Sequence, residues 1–167
     1  MVGPAFTVRC PLGDNTAVTR AVDEAPRGSV IVIDCGGPPR TAVWGENATF
    51  ACTFKGVAGC VTNGFIRDID AVQEAGFPLF AAGRSLRGSR KGQPGELGCD
   101  IVIGDVLIKP GDYVCGNSDG VVVIPADEAD QVIAAAKAKD AEEQTRNERV
   151  KAGVPLAEIL RTSGNRT

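Results

Sequence analysis

The sequence predicts an α/β fold with mixed sheets in a single domain spanning residues 1–167, and three observations carry that reading. Apolar runs of strand length alternate with helix-spaced apolar stripes through the first half of the chain. Strand-like runs then follow one another through the second half, separated by Gly, Asp, Asn and Pro. The length of 167 residues, with 43% hydrophobic and 23% charged side chains, is that of one globular core. Such a chain buries roughly 68–70% of its unfolded surface, so its fold needs no disulfide.

The first strand is expected over 5–10, where apolar and polar residues alternate. Pro11-Leu12-Gly13-Asp14 forms a turn, and Asp14 caps a helix through Ala25 whose buried face is Ala17, Val18, Ala21, Val22 and Ala25. Asn15 either adds to that cap or faces a site. Residues 29–34 form a continuous apolar strand of the kind covered on both faces. The loop at 35–39 cannot continue either element, and with no G-x-G-x-x-G it offers no dinucleotide site. Residues 40–54 read as a helix broken near Trp44-Gly45. A short strand is expected over 59–63, with 64–68 leaving it, and Asp68 caps a helix over 69–75. Another strand covers 77–81, and the Gly-, Arg-, Lys- and Ser-rich stretch 83–98 reads as a flexible surface loop.

Four strands follow, at 101–103, 106–108, 113–115 and 121–124, with Asp112 and Asp119 serving turns. Pro125 opens a long helix with Ala129, Val132, Ile133 and Ala136 as its apolar stripe. Beyond Lys137 that helix is charged nearly all round, which points to a neighbouring subunit. Residues 154–167 are a short terminal turn and tail.

The net charge of −3 excludes a protein built to coat nucleic acid, which needs a basic stripe. The chain has no histidine, which removes imidazole as base, metal ligand or triad member. Six cysteines without C-x-x-C spacing read as reduced core residues of a cytoplasmic protein. No apolar run approaches membrane-spanning length.

The chemistry is expected between Gly45 and Asp68. Glu46 lies at one end of an apolar stretch that reads as a helix running into a strand, and Arg67-Asp68 lies at the other. Folding the stretch back on itself brings two carboxylates and a guanidinium together, an arrangement suited to a divalent cation beside a carboxylate-bearing substrate. On spacing alone, each end also reads as a loop that merely carries charge. The first-turn amides of Gly45, Glu46, Asn47 and Ala48 are open to an anion.

The order Gly45-Glu46, then twenty residues, then Arg67-Asp68 resembles the signature of the RraA-like family, which includes metal-dependent 4-hydroxy-4-methyl-2-oxoglutarate / 4-carboxy-4-hydroxy-2-oxoadipate aldolases. The likeness extends through 3–8, 13–15, 30–34, 109–113 and 119–125. It implies the β/β/α swivelling architecture, assembled as trimers or hexamers, with a helical segment ahead of residue 5 that this chain lacks. It implies Mg²⁺ or Mn²⁺ bound directly by Asp68 and through water by Glu46 and by Glu143 or Glu142 of a neighbouring subunit. Arg67 stabilises the enolate oxygen, the loop at 45–48 contacts the pyruvate carboxylate, and Asn15 and Lys91 line the site. Asn63 stands where aldolases of the family often carry Asp.

The activity so implied is cleavage of either oxo acid to pyruvate plus a second oxo acid. A water polarised by the metal acts as base, and oxaloacetate decarboxylation is a side activity. The family also contains regulators that bind and inhibit the endoribonuclease RNase E, in which the residue after the arginine need not be acidic. A catalytically impaired paralogue is a third reading. No Gly-rich adenosyl-methionine loop supports a methyltransferase.

Overall fold

The computed structural model describes residues 1–37 and 40–163. Pro38 and Pro39 of the predicted loop, and the last four residues of the predicted tail, lie outside the described residues. The chain divides into two compact units, Met1–Ala126 and Asp127–Thr167.

In the first unit β1 (Val2–Arg9) leads through a turn into α1 (Thr16–Glu24) and back into β2 (Val30–Asp34), which pairs parallel with β1 from Ala5↔Val30 to Arg9↔Asp34. There follow β3 (Ala42–Trp44), α2 (Glu46–Lys55), β4 (Gly59–Ile66), α3 (Ile69–Glu74) and β5 (Leu79–Arg84). The later strands are β6 (Glu96–Leu97), β7 (Ile101–Ile103), β8 (Val106–Ile108), β9 (Tyr113–Asn117) and β10 (Gly120–Ile124). The main sheet runs β10-β9-β1-β2-β4-β3, with β5 also on β4 and β6 also on β1. Pairs among β1 to β5 are parallel and those made by β6, β9 and β10 are antiparallel, so the sheet is mixed as the alternation predicts.

The continuous apolar run of β2 is buried on both faces. Ile31 and Ile33 join the α1 and α2 side, with Ala17, Val18, Ala21 and Val22. Val30 and Val32 join the opposite side, with Ile101 and Ile108 of the antiparallel hairpin β7-β8 and Val114 of β9. Asp112 holds the turn before β9, its carboxylate accepting the Lys109 and Ala126 N–H groups at 2.8 and 3.1 Å.

Two elements differ from expectation. The broken helix over 40–54 is the strand β3 followed by α2: Ala42, Val43 and Trp44 are each buried, and a main-chain pairing with Phe65 and Ile66 satisfies their strand geometry. The strand expected over 77–81 starts later and runs to Arg84, because Pro78 cannot donate to a ladder.

A 3₁₀ turn at Ala126–Glu128 leads into the second unit and precedes α4 (Ala129–Lys151), and the bend at Gly153 leads to α5 (Leu156–Ser163). The predicted α4 stripe is covered only at Ala129; Ile133 is 42% exposed. Among the described residues no helix is long and apolar enough to cross a membrane.

Candidate active site

The site is built where β3 and β4, parallel neighbours, both end, the usual ligand position in open α/β sheets. Trp44, the last residue of β3, is 2% exposed and stacks on Phe77 with ring centroids 5.9 Å apart. Its indole N–H donates to Thr49 Oγ1 at 2.9 Å, and the Thr49 hydroxyl donates to the Gly45 carbonyl at 3.1 Å. A buried aromatic anchor thus fixes the bend from which α2 starts.

Asp68 follows β4 in the left-handed conformation, φ 57° and ψ 43°, the one non-glycine residue with positive φ among those described. Aspartate tolerates this region better than most residues. The expected cap of α3 by Asp68 is not made, since the bend turns its carboxylate away from α3. Instead Asp68 Oδ2 accepts the Glu46 N–H at 3.1 Å, supplying to α2 the cap its own N-cap residue Gly45 cannot give. Arg67 Nε lies 3.3 Å from the same oxygen, and no protein donor among the described residues reaches Oδ1.

This convergence depends on Gly45. A Cβ there would sit 2.5 Å from Asp68 Oδ2 and 3.2 Å from Arg67 Cγ. Gly45→Ala is therefore expected to push both side chains aside and to cost about 1–3 kcal/mol of stability, the usual scale of overpacking. A melting curve of the variant beside the wild type checks this.

The stretch expected to be a flexible loop is tied down. Ser89 Oγ lies 2.8 Å from Thr41 Oγ1 and donates to the Ala42 carbonyl at 3.0 Å, and the Ala42 N–H donates to the Arg87 carbonyl at 2.7 Å. Asp14, 3% exposed, accepts the Thr16 N–H at 2.8 Å through one oxygen and the Gln93 N–H at 3.2 Å through the other. It therefore starts α1, as predicted, and also fastens the strip that carries Lys91.

Burial pushes the Asp14 carboxyl up, but the Thr16 and Gln93 donors and nearby Arg90 outweigh it and hold the pKa below the ordinary 3.8. A folded pKa below the unfolded one means that the unfolded chain binds the extra proton. The stabilisation is then complete above about pH 3.8 and is lost as pH falls through the folded value. Asp14→Asn is expected to cost about 1–3 kcal/mol at neutral pH and to flatten the acid side of a Tm-against-pH curve.

These elements enclose a cleft of about 310 Å³. It brings together Asn15, Gly45, Glu46, Asn47, Ala48, Arg67, Asp68 and Lys91, eight positions expected from sequence. Glu142 and Glu143, by contrast, belong to α4 in the second unit. Asn15 makes no side-chain cap bond to α1; its Nδ2 reaches the Val43 carbonyl at 3.4 Å and its buried Oδ1 has no partner among the described residues. Asn63 is bound elsewhere, accepting the Cys35 N–H at 2.8 Å and donating to Asp34 Oδ1 at 2.9 Å. An aspartate there would face Asp34 carboxylate to carboxylate.

Sequence reasoning missed Gly88 and Ser89 on the tied loop, and Thr19 and Asp23 on α1, all of which line the cleft. The helical spacing of Thr19 and Asp23 from Asn15, four and eight residues on, was the available signal.

The thiols of Cys10 and Cys52 are poor nucleophiles. All six are free thiols, and burial raises Cys10 to about 12 and Cys52, on α2, to about 11. Among the described residues no three Cys, Asp or Glu side chains gather into a metal cage. Of the carboxylates that line the cleft, Asp68 is the one oriented through Oδ2 by a main-chain N–H and Arg67, with no partner on Oδ1 among the described residues. That donor set fits Mg²⁺ or Mn²⁺, ions that take one or two carboxylates and fill the remaining positions with water and substrate oxygens.

A mixed α/β sheet with its cleft at the ends of β3 and β4, a Gly45-Glu46 turn and an Arg67-Asp68 bend define a family: residues 1–123 match the RraA-like family, described as Aldolase/RraA, and the chain belongs to it. A relative from Halalkalibacterium halodurans, named "Putative 4-hydroxy-4-methyl-2-oxoglutarate aldolase", is 41% identical over 146 residues, covering 87% of this chain and 70% of the relative. A solved protein from Pseudomonas syringae pv. tomato superposes with TM-score 0.84 at 31% identity, over 95% of this chain and 77% of that one. The "RNA-processing inhibitor RraA from Thermus thermophilis" does so with TM-score 0.70 at 31% identity, over 74% and 75%.

Proposed function

We propose that the chain is a divalent-metal-dependent pyruvate aldolase acting on branched 4-hydroxy-2-oxo acids, 4-hydroxy-4-methyl-2-oxoglutarate or 4-carboxy-4-hydroxy-2-oxoadipate, with oxaloacetate decarboxylation as a side activity. The observation that carries the reading is the meeting of Arg67 and Asp68 over the amide end of α2 in a cleft that also holds Asn15 and Lys91.

In this reading the Asn47 and Ala48 N–H groups, which the first turn of a helix leaves without an internal acceptor, take the C1 carboxylate. Asp68 would hold the cation, with Glu46, exposed at the rim, as an outer carboxylate. Bound there, the cation would supply Lewis-acid polarisation of the 2-oxo group. The Arg67 guanidinium faces the 2-oxo oxygen and stabilises the negative charge it gains as the C3–C4 bond breaks. The 4-hydroxyl proton passes to water oriented by Glu46, C4 becomes the carbonyl of the second product, and the same water returns a proton to C3 to give pyruvate. Loss of CO₂ from oxaloacetate leaves the same enolate, so the same residues serve both reactions. Lys91 and Asn15 hold the distal carboxylate.

The reading also carries a homotrimer or hexamer in which Glu143 or Glu142 of a neighbour joins the site, a role in keeping with the exposed, charged length of α4. The likeness to an RNA-processing inhibitor favours a second reading, a regulator that binds an endoribonuclease. The acidic Asp68 beside Arg67 supports the enzyme.

The test is a coupled pyruvate-release assay on oxaloacetate and the two branched acids, with Mg²⁺ or Mn²⁺ and then EDTA, set beside a pull-down with an endoribonuclease. Pyruvate that appears with metal and stops with EDTA is expected. Endoribonuclease capture without any turnover would replace this reading with the second one.

A further inference from the structure

Beyond Asn15, one wall of the cleft is not used by the chemistry above. Asn15, Val18, Thr19, Val22 and Asp23 of α1 all line it, spaced as a single helical stripe. From Asn15 to Asp23 that stripe runs about 12 Å along the helix. Val18 and Val22 are 2% and 7% exposed and give it an apolar floor. The Thr19 hydroxyl donates back to the Asn15 carbonyl, so its donor is spent within the helix. The stripe therefore begins at a polar amide, continues over methyl groups, and ends at a carboxylate.

Asp23 is poorly placed for its own helix. It sits in the last turn of α1, where the partial negative charge of the carbonyls opposes an anion. Its neighbour Glu24 is paired with Arg20 at 3.5 Å, whereas the Asp23 carboxylate has no ion pair or hydrogen bond among the described residues. Lys55, the nearest cation of α2, donates to the main-chain carbonyls of Val22 and Asp23 and does not line the cleft. An exposed acid at an unfavourable helix position, unpaired and at the end of an apolar wall, is a local cost that a binding role would explain.

We infer that Asp23 sets substrate specificity: it repels a second distal carboxylate, so that the cleft selects the acid with a methyl branch at C4 over the acid with a carboxymethyl branch there. The inference rests on the aldolase reading. With the C1 carboxylate at the α2 amides and the C4 carboxylate toward Lys91 and Asn15, the remaining C4 substituent faces Val18, Thr19 and Val22. A methyl group fits that wall. A carboxymethyl group carries its charge toward Asp23.

The experiment compares kcat/KM for 4-hydroxy-4-methyl-2-oxoglutarate and 4-carboxy-4-hydroxy-2-oxoadipate in the wild-type protein, Asp23→Asn and Asp23→Lys, all with Mg²⁺. The wild type is expected to favour the methyl acid about tenfold or more, the scale of two like charges a few ångströms apart at a solvent-facing site. Asp23→Asn should remove most of that preference, and Asp23→Lys should invert it. Both changes relieve the clash with the helix carbonyls, so neither should lower Tm.

A readout without turnover comes from citramalate and citrate, which differ by the same methyl and carboxymethyl groups. Their dissociation constants for the metal-free protein, measured by calorimetry, should follow the same order and the same reversal. Ratios unmoved by either substitution would overturn the inference. If both branched acids are cleaved while Asp23 has no effect, this inference alone falls. If wild-type protein releases pyruvate from neither the methyl acid nor oxaloacetate, the aldolase reading falls and takes the inference with it.

Discussion

Arg67→Ala is expected to lower kcat/KM for pyruvate release by about 10²–10³-fold, the usual cost of removing one preorganised donor from a developing oxyanion. The same substitution should leave the melting temperature nearly unchanged. The Arg67–Asp68 pair joins side chains that are 47% and 33% exposed, and such pairs contribute little to folding, about 0–1 kcal/mol. Arg67→Lys distinguishes charge from geometry. It keeps the positive charge but loses Nε, the atom that lies 3.3 Å from Asp68 Oδ2. We expect it to recover less than a tenth of the lost activity. Full recovery by lysine would mean that the guanidinium serves only as a diffuse cation.

Asp68→Asn is expected to abolish metal-dependent turnover, by about 10³-fold or more, while keeping the fold. Asparagine tolerates the left-handed backbone and its amide oxygen can still accept the Glu46 N–H, so the bend and the α2 cap survive while the charge is lost. Mn²⁺ affinity, measured by calorimetry, should fall with activity. Asp68→Ala should show the same kinetic loss and an added destabilisation of about 1–3 kcal/mol, since it strains the positive φ and uncaps α2. Equal stability of the two variants would show that the carboxylate does not support the start of α2.

Much of this arrangement is legible from residue order alone. The unbroken apolar run of β2 declares a strand covered on both faces, and the spacing of Ala17, Val18, Ala21 and Val22 declares the buried side of α1. The two ends of the stretch from Gly45 to Asp68 do meet, through the Glu46 main-chain N–H and the Asp68 carboxylate, because a helix followed by a strand returns the chain to where it began. What escaped prediction depends on contacts distant in sequence. β3 has only three residues, too few to show a period of two, and its strand geometry comes from pairing with β4. The strip carrying Ser89 and Lys91 has the composition of a mobile loop, yet Asp14 fastens it from 79 residues earlier. Phe50 and Phe54 have the spacing of a core face but are 51% and 91% exposed, since α2 packs through Thr49 and Cys52. The left-handed backbone of Asp68 has no local signature either, because Arg67-Asp68-Ile69 reads equally well as a simple helix start.

The most direct measurement is a crystal structure with Mg²⁺ and oxalate, a planar dianion that imitates the enolate of pyruvate. The cation is expected on Asp68, and oxalate between the Arg67 guanidinium and the Asn47 and Ala48 amides. Oxalate bound outside this cleft, or a cation held there without Asp68, would contradict the proposed function.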